Sequence, residues 1–555
     1  MPSAPAVPRP LMTEQGAVSA NFWALSWHPG LSSDVRRATL VSTLVPVDPA
    51  MTELATLKLL FPGDRVVSRT PLFRPRRADP GGDPRAGGFR TALATLFPIA
   101  PSVSPGPGGL LRRRAVRVAI EVLAVLVAAV AMLLRVAHIP AWDLVYAEDN
   151  GVFLVGALAH PWDLLAPFGG YLELVPRILG QIVSLLPLWD AARVYAVSGA
   201  LIAAVCALFT YHASEGYIRS PWLRAMLGAA LILLPLAPIE MADSGVDSPW
   251  YLLPTAFWAV MWRPRTRPGM LAAALMAFAA TSSEIVAIIY IPLLVIRVIA
   301  LPRWREHAVT IGFLLGLLAQ VPAILSTYAQ HAQRLNGFGQ PLASVKFYFH
   351  AFVLRSVGWH LSWWLQRLLG LNAATAVVGA FLLAVLAWVL ITGGRQVRVF
   401  AVLATVTGFV QVIAVASVPG PPGAHWVAHA VAGPAFQPGS RYDAVPVMLL
   451  DAMVIIAVDT FIRRRGAVTP TPPPRDAWRG PRPWALIAVT ALTCALAFGW
   501  VSDYRYYVPS RVSQGYWTDT VHDWLKACAR SKTGEISLSI WAAPNATVPC
   551  SRIRR

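Results

Sequence analysis

The run Arg112-Arg-Arg-Ala-Val-Arg-Val-Ala-Ile-Glu-Val-Leu-Ala-Val-Leu-Val-Ala-Ala-Val-Ala-Met-Leu-Leu134 decides the fold class of this chain. After its basic start it is apolar for about 20 residues, the length at which an α-helix crosses a hydrocarbon core of about 30 Å. Similar apolar runs recur as far as Val501. Strands could cross a membrane only as a closed barrel, and the alternating pattern of barrel strands is absent. The sequence therefore predicts an all-α, polytopic membrane helix bundle.

The composition agrees with a chain that is mostly surrounded by lipid. Of its 555 residues, 56% are hydrophobic and 14% are charged, against about 25% charged in a soluble domain. We predict about eleven transmembrane helices, which alternate the connecting loops between two sides. They cover residues 116–134, 194–212, 222–238, 250–262, 270–282, 285–300, 308–327, 374–392, 399–417, 444–462 and 484–501.

The basic residues predict the orientation of this bundle. Loops on one side, together with the adjoining helix ends, carry twenty arginines, and those on the other side carry eight basic residues before the tail. Because cytoplasmic loops are enriched in Lys and Arg, we expect the N-terminus in the cytoplasm and the C-terminus outside. The net charge of +19 is thus dispersed over short clusters, and no nucleic-acid partner is predicted. The Arg, Ala, Val and Pro bias indicates a bacterial multi-pass protein of the plasma membrane.

Three regions follow from this topology. Residues 1–110 are rich in Pro, Gly and Arg, which predicts a disordered cytoplasmic extension; an incorrectly assigned start codon is the alternative. Residues 111–501 form the transmembrane bundle, and residues 502–555 form an extracytoplasmic tail. The bundle's long outer loops are residues 135–193, 328–373 and 418–443. Function is expected on this outer face, because irregular backbone carries most binding and catalytic residues.

Two of the four cysteines fall in the exported tail. Cys528 and Cys550 are therefore candidates for a disulfide, with two unrelated thiols as the alternative. Cys206 and Cys494 lie in apolar runs and are expected to be small core residues.

The first outer loop contains the stretch Trp142-Asp143-Leu-Val-Tyr-Ala-Glu148-Asp149-Asn150-Gly151, with two adjacent carboxylates. Carboxylates at a membrane surface that also carries lipid phosphates are costly unless they have partners or a function. Glu148 and Asp149 are therefore candidate catalytic residues, with Asp143 nearby. The alternative is that the pair caps a loop helix and starts a turn.

The same loop continues as Gly169-Gly170-Tyr171-Leu-Glu-Leu-Val-Pro-Arg177. The two glycines permit close backbone approach, and Tyr171 and Arg177 could face a ligand from a short interfacial helix. Alternatively, Tyr171 belongs to the aromatic belt of the membrane and Arg177 extends its charge to the surface.

Further polar and aromatic residues stand at outer helix ends and could converge on that loop. Arg441 is suited to hold a phosphate through its fork of N–H donors; pairing with Asp443 or with lipid headgroups is the alternative. The set comprises Asp243, Asp247, Trp250, Tyr251, Glu284, Arg441, Tyr442 and Asp443.

Taken together, these residues resemble the C-type (GT-C) integral membrane glycosyltransferases, and more closely a bacterial, actinobacterial branch of that superfamily. The resemblance rests on the acidic pair, the Gly-Tyr-Leu-x-x-x-Pro-Arg segment, the Trp250-Tyr251 pair and the Arg441-Tyr442 pair. It covers about residues 111–510. The chain departs from better-known members because it lacks a large folded periplasmic domain, which puts acceptor recognition by such a domain in doubt.

The resemblance implies transfer of a sugar from a polyprenyl-phosphate donor to a glycan or lipid acceptor of the cell envelope. By its motif, Asp149 matches the family's catalytic base, with Glu148 beside it. It leaves open whether a divalent metal, Mg²⁺ or Mn²⁺, takes part, and no metal ligands are assigned. Besides the bilayer, the expected partners are the lipid-linked sugar and the acceptor. The residues expected to bind substrate are Asp143, Tyr171, Arg177, Trp250, Arg441 and Tyr442.

The alternative function is a multi-pass transporter or lipid flippase. Such proteins place ionisable groups within their helices, and here Glu121, Asp451 and Asp459 fall inside predicted spans. Asp451 and Asp459 are about two helical turns apart and would share a face. A scaffold subunit is a third reading and would need none of the outer acids. The P-loop, HExxH and CxxC patterns are absent, so ATP-driven or zinc chemistry has no support.

Overall fold

The computed structural model describes eleven stretches of the chain, and every structural statement below concerns them. They are residues 90–99, 110–135, 141–146, 148–234, 241–335, 353–354, 356–417, 440–466, 483–504, 515–540 and 543–554.

Most of the described chain is α-helical. Between α1 and α2, the segment Asp149–Leu154 is a π-helical turn, and Ile285–Tyr290 is a 3₁₀ helix before α8. The helices are α1 (Leu110–Leu133), α2 (Val155–Ala159), α3 (Leu174–Ser184), α4 (Ala191–Ala213), α5 (Pro221–Ile232), α6 (Ser248–Met261), α7 (Arg267–Ser283), α8 (Ile291–Ala300), α9 (Ala308–Leu335), α10 (Trp359–Leu369), α11 (Leu371–Thr392), α12 (Arg395–Ser417), α13 (Ala444–Gly466), α14 (Pro483–Ser502), α15 (Trp517–Arg530) and α16 (Cys550–Ile553).

The all-α prediction for the bundle is confirmed, and each predicted span coincides with one of these helices or, for residues 285–300, with a 3₁₀ helix and α8 together. Five described segments are long and apolar enough to cross a membrane, which indicates a membrane protein. Their bounds are Ala115–Leu133, Leu188–Gly216, Trp304–Thr327, Leu371–Thr392 and Ala444–Arg464. The count of eleven, the orientation and the choice of the plasma membrane stay predictions.

Helix α13 is the central element of the bundle. Its side chains are almost all buried, and it packs along α12 and against α5, α6 and α11. Helix α1 is the opposite case, because it packs mainly on α4 and leaves most of its apolar side chains exposed. An apolar helix that is exposed on most sides is stable in lipid and not in water.

Helices α7 and α9 form the most extensive pair because two glycines let their backbones approach closely. Gly312 and Gly316 on α9 are spaced as in the small-residue motifs of membrane helices. A Cβ on Gly312 would collide with the carbonyl oxygen of Ala274, and one on Gly316 would collide with Thr281. The Thr281 hydroxyl also donates to the carbonyl of Phe313 at 3.1 Å. This tight pair forms a rigid wall beside the first loop.

The C-terminal tail has a small fold that the sequence analysis did not anticipate. Strands β1 (Glu535–Ile540) and β2 (Ala543–Pro549) pair antiparallel, and α15 packs on β1. Cys528 on α15 is bridged to Cys550 on α16, which confirms the predicted disulfide. Cys206 is buried in α4, as expected, whereas Cys494 is exposed on α14.

The tail is docked on the first loop. The Trp517 indole N–H donates to the carbonyl of Leu188 at 2.6 Å, and Arg552 donates to that of Leu158 at 3.2 Å. Apolar residues of the hairpin continue the core formed by α2 and the start of α4. The tail and the first loop therefore lie at the same end of the bundle.

A segment before α1 lies at the other end of α4. Phe97 is fully buried beneath the guanidinium of Arg297, and the Tyr217 hydroxyl donates to the carbonyl of Leu96. Tyr217 follows the C-terminus of α4, whereas Leu188, which holds the tail, precedes its N-terminus. A helix of 23 residues is about 35 Å long. Residues 90–99 and the tail thus contact opposite ends of a membrane-length helix.

This ordered segment falls inside the region 1–110 that the sequence predicts to be disordered. Residues 90–94 are helical and residues 96–97 are buried, so the prediction does not hold for residues 90–99. Residues 1–89 and 100–109 lie outside the described residues, as do parts of the predicted outer loops, namely 136–140, 336–352 and 418–439.

Candidate functional site

The two adjacent carboxylates of the first loop face different surroundings. Glu148 lines a small cavity, whereas the carboxylate of Asp149 is buried behind it. One carboxylate oxygen of Asp149, Oδ2, accepts the Gly245 N–H at 3.0 Å and the Ser244 hydroxyl at 3.2 Å. A Cβ on Gly245 would come within 2.9 Å of Oδ1, so this approach needs glycine. Asp149 therefore ties the first loop to the segment before α6.

The cavity has a volume of about 50 Å³ and lies where the first loop meets the ends of α6, α7 and α13. Its lining combines acidic, aromatic and basic side chains. The lining residues are Glu148, Phe168, Tyr171, Glu173, Val246, Asp247, Pro249, Trp250, Glu284, Arg441 and Tyr442. The structure thus brings together five residues predicted from three separate stretches of sequence, namely Glu148, Tyr171, Trp250, Arg441 and Tyr442.

Arg441 is held in this cavity by an ion pair. Its Nη1 donates to Oδ1 of Asp247 at 3.1 Å, and the Asp247 side chain is completely buried. The guanidinium also lies 5.4 Å from the ring centre of Tyr442. Arg441 stands just before α13, so the central helix of the bundle fixes its position. This partner of Arg441 lies 194 residues earlier in the chain, at the start of α6.

The loop that carries Tyr171 is fixed by hydrogen bonds from α9. The Gln320 side-chain amide makes two hydrogen bonds to the backbone of Leu172. It accepts the Leu172 N–H at 2.7 Å and donates to the Leu172 carbonyl at 3.0 Å. The Thr327 hydroxyl donates to the carbonyl of Gly170 at 3.1 Å. Gly169 and Gly170 both have positive φ, which permits the tight turn between Phe168 and Tyr171. These bonds anchor the Tyr171 segment to the rigid pair of α7 and α9.

Two further carboxylates complete the cavity, and both are buried. Glu284 stands in the break after α7, where one of its oxygens accepts the Val286 N–H at 3.1 Å and the carboxyl group also bonds the Tyr171 side chain. Burial raises the pKa of Glu284 to about 7, although the Val286 hydrogen bond and the charge of Arg441 lower it. Burial, followed by the nearby Glu284 carboxylate, raises the pKa of Glu173 well above its ordinary value.

Aromatic rings form the remaining wall. Trp250 and Tyr442 meet edge to face, with ring centres 5.0 Å apart. Phe168 is held against Phe153 in the same kind of contact at 5.8 Å. Aromatic faces next to carboxylates suit ligands with both apolar faces and polar groups, such as sugars.

Three of the predicted site residues lie outside the lining, namely Asp143, Asp149 and Arg177. Asp143 accepts the Thr518 N–H at 3.0 Å and its hydroxyl at 3.1 Å, so it anchors the start of α15. The guanidinium of Arg177 lies 5.4 Å from the ring centre of Phe153 and donates to the carbonyl of Pro167 at 3.3 Å. These residues position the first loop and the tail around the cavity.

The sequence analysis named Asp247 and Glu284 as outer positions but assigned a role to neither, and it assigned no role to Glu173. All three stand at the ends of helices or in breaks between them, beside apolar stretches. An acid at a helix break next to the membrane is the signal that could have identified them. Their burial and their proximity depend on contacts between distant segments, which a sequence pattern does not contain.

Of the two acids that motivate the transport reading, one has an evident structural role. Asp459 accepts the backbone N–H of Ser220 at 3.1 Å and pairs with Arg463 at 2.8 Å. Asp451 is buried within α13, and its Oδ2 makes no hydrogen bond to the described residues. Asp451 is thus the member of the Asp451–Asp459 pair that remains for that reading.

A larger cavity, of about 530 Å³, lies at the other end of α13. Its lining includes Arg395, Arg463 and Arg464 and the glycine pair that precedes α12. This cavity is open to its surroundings and lined by the arginines predicted to be cytoplasmic. The acidic and aromatic groups are thus concentrated at the first-loop end.

Comparisons with known proteins add no identification, because no family model, curated protein or solved structure matches this chain. Within the described residues, no group of three or more His, Cys, Asp and Glu side chains is arranged to hold a metal ion. The case for function therefore rests on the cavity.

Proposed function

We propose that this protein is an integral membrane glycosyltransferase that transfers a sugar from a polyprenyl-phosphate donor to an acceptor of the cell envelope. The observation that carries the proposal is that Glu148 and Arg441 line the same cavity, with Trp250 and Tyr442 beside them. A general base, a cation for phosphate and aromatic walls are the groups that sugar transfer from a lipid phosphate requires.

In the proposed reaction, the acceptor hydroxyl oxygen attacks the anomeric carbon of the donor sugar. Glu148 takes up the hydroxyl proton as the new C–O bond forms, and the bond between the anomeric carbon and the phosphate oxygen breaks. The electron pair of that bond stays on the polyprenyl phosphate, whose added negative charge Arg441 stabilises. A guanidinium has five N–H donors in a planar fork that matches the oxygens of a phosphate.

Glu148 is proposed as the base in preference to Asp149, which the resemblance favours. Asp149 is buried outside the lining and accepts hydrogen bonds from two groups near α6, whereas Glu148 lines the cavity. A base must come within hydrogen-bond reach of the proton that it removes. Asp149 is instead proposed to position the segment that carries Glu148.

The direct test uses purified protein in detergent with a radiolabelled sugar on a short-chain polyprenyl phosphate and an envelope extract as the acceptor pool. We expect label to move from the solvent-extractable carrier to a second product only when the protein is present. Release of polyprenyl phosphate in equal amount would show that the carrier is the donor. Failure of transfer with every carrier tested would contradict the proposal.

One specific observation supports the transporter alternative, namely that Asp451 is buried on the central helix α13. Reconstituted vesicles with a fluorescent lipid-linked sugar in the inner leaflet would test it. Protein-dependent appearance of the fluorescent lipid in the outer leaflet, abolished by Asp451→Asn and without any transfer product, would favour the flippase reading.

A further inference from the structure

The cavity contains more acidic than basic groups. Its lining has four carboxylic acids, Glu148, Glu173, Asp247 and Glu284, and within the described residues its basic side chain is Arg441. Arg441 is paired with Asp247. Beside this ion pair, the described lining contains three further acidic side chains, Glu148, Glu173 and Glu284.

Glu173 is the member of this group whose carboxyl group lacks a hydrogen-bond partner for one oxygen. Its residue is 6% exposed, and Oε2 is buried and makes no hydrogen bond to the described residues. A polar atom that is buried without a partner destabilises the folded protein. Since Glu173 lines the cavity, a hydrogen-bond donor bound there would satisfy this oxygen.

The cavity is small, about 50 Å³, but it has room for a polar group larger than a single water. The donor can therefore be a substituent of a sugar. The aromatic rings of Tyr171, Trp250 and Tyr442 stand beside that substituent.

Both the acidic side chains and the aromatic rings of the lining favour an organic cation as the ligand. An ammonium group donates three hydrogen bonds to separate acceptors, and it is attracted to the faces of aromatic rings. A metal ion needs several oxygens that converge at about 2.0–2.6 Å, and the described acidic side chains form no such cluster. Carboxylates that are dispersed among aromatic rings suit an ammonium group better.

We infer that the cavity receives the ammonium group of an amino sugar, with Glu173 as its principal acceptor. The inference rests on the sugar-transfer function proposed above and names the class of sugar. In a 2-amino sugar 1-phosphate, the ammonium and the phosphate are attached to neighbouring carbons. Glu173 and Arg441, which line one cavity, then hold these two groups of the same substrate.

The experiment compares three farnesyl-phosphate-linked sugars that differ only at carbon 2, namely glucosamine, glucose and N-acetylglucosamine. Binding to the full-length protein in detergent is measured by microscale thermophoresis, and transfer is measured in parallel. We expect glucosamine to bind at least about tenfold more tightly than the other two, the scale of one hydrogen bond to a charged group. Acetylation removes the positive charge, so N-acetylglucosamine should behave like glucose.

The matched variants are Glu173→Gln and Asp163→Asn. Glu173→Gln keeps the shape of the side chain and removes its negative charge, so it should weaken glucosamine binding about tenfold and abolish the preference for glucosamine over glucose. Asp163 lies on the same loop, is exposed and stands outside the lining, so Asp163→Asn should retain the preference for glucosamine.

If Glu173→Gln does not fold, the binding of the three sugars to the wild-type protein tests the inference without the variant. Equal binding of all three sugars would overturn the inference, and transfer of glucose would then leave the proposed function standing. Preferential binding of glucosamine without transfer of any sugar would support the inference and contradict the function. Binding of none of them, or stabilisation by Mn²⁺ or Mg²⁺ in place of glucosamine, would overturn the inference as well.

Discussion

Arg441 and Asp247 are separated by 194 residues in the chain, and their side chains meet at 3.1 Å in the cavity. Asp247 immediately precedes α6, and Arg441 stands just before α13. A charge pair with one partner completely buried holds its two helices in a fixed register, because separating the charges leaves Asp247 without its counter-ion. The ion pair thus links the site to the two helices on which it is built.

Removing one partner of this pair should cost more than removing both. We expect Asp247→Asn and Arg441→Met each to destabilise the protein by about 3–5 kcal/mol, the scale for breaking a buried pair. The double variant should be less destabilised than either single variant. The measurement is thermal unfolding of the two single variants and the double variant; additive losses would mean that the two side chains are not coupled.

Arg441→Lys should separate binding from folding. Lysine keeps the positive charge next to Asp247 but cannot reproduce the two-pronged contact of a guanidinium with phosphate. We expect nearly unchanged thermal stability together with a higher KM for the polyprenyl-phosphate donor. Arg193→Lys is the matched control, because Arg193 pairs with Asp190 at the exposed start of α4.

Glu148→Gln and Asp149→Asn should have different effects. Loss of a general base lowers the rate by about 10²-fold or more, so Glu148→Gln should lose transfer while its thermal stability is retained. Asp149→Asn weakens charge-assisted hydrogen bonds to Ser244 and Gly245, which should cost about 1–3 kcal/mol of stability. Full transfer in Glu148→Gln, with complete loss in a folded Asp149→Asn, would return the base to Asp149.

The raised pKa of Glu284 predicts how stability depends on pH. The folded protein holds the proton of Glu284 up to about pH 7, whereas an unfolded glutamic acid releases it near pH 4.3. The native state therefore binds more protons in this window, and its stability should fall as pH rises from about 4.5 to about 7. Melting temperatures of wild type and Glu284→Gln over this range check the sign, since the variant should show a flatter profile.

The disulfide should stabilise the docked tail. Cys528 and Cys550 are 22 positions apart, and closing a loop of that size is worth about 3 kcal/mol in the chain-entropy model. We expect Cys528→Ser to make the tail sensitive to trypsin while the bundle remains folded. Ser531→Ala is a control in the same region. Recovery of both cysteines as free thiols by mass spectrometry under non-reducing conditions would contradict the bridge.

The membrane-length helices could be predicted from the sequence because each long apolar run marks one helix independently of the other runs. The cavity could be predicted only in part. Tyr171, Trp250 and Arg441 were found because they stand on the predicted outer face in the segments that carry the resemblance, and all three line the cavity. Adjacent residues of a helix point about 100° apart, and of Glu148 and Asp149 only one lines the cavity. Which of them does so depends on Gly245 and Ser244, about a hundred residues later.

Residues far along the chain from the first loop cover it. Asp143, Leu158 and Leu188 emerge early in synthesis, but their partners Thr518, Arg552 and Trp517 follow more than 300 residues later. At about 5–20 residues per second, the first loop waits on the order of 20 seconds or more before it can be covered. A nascent or truncated chain therefore exposes that apolar surface, and a protease or chaperone outside the membrane could distinguish it from a finished protein.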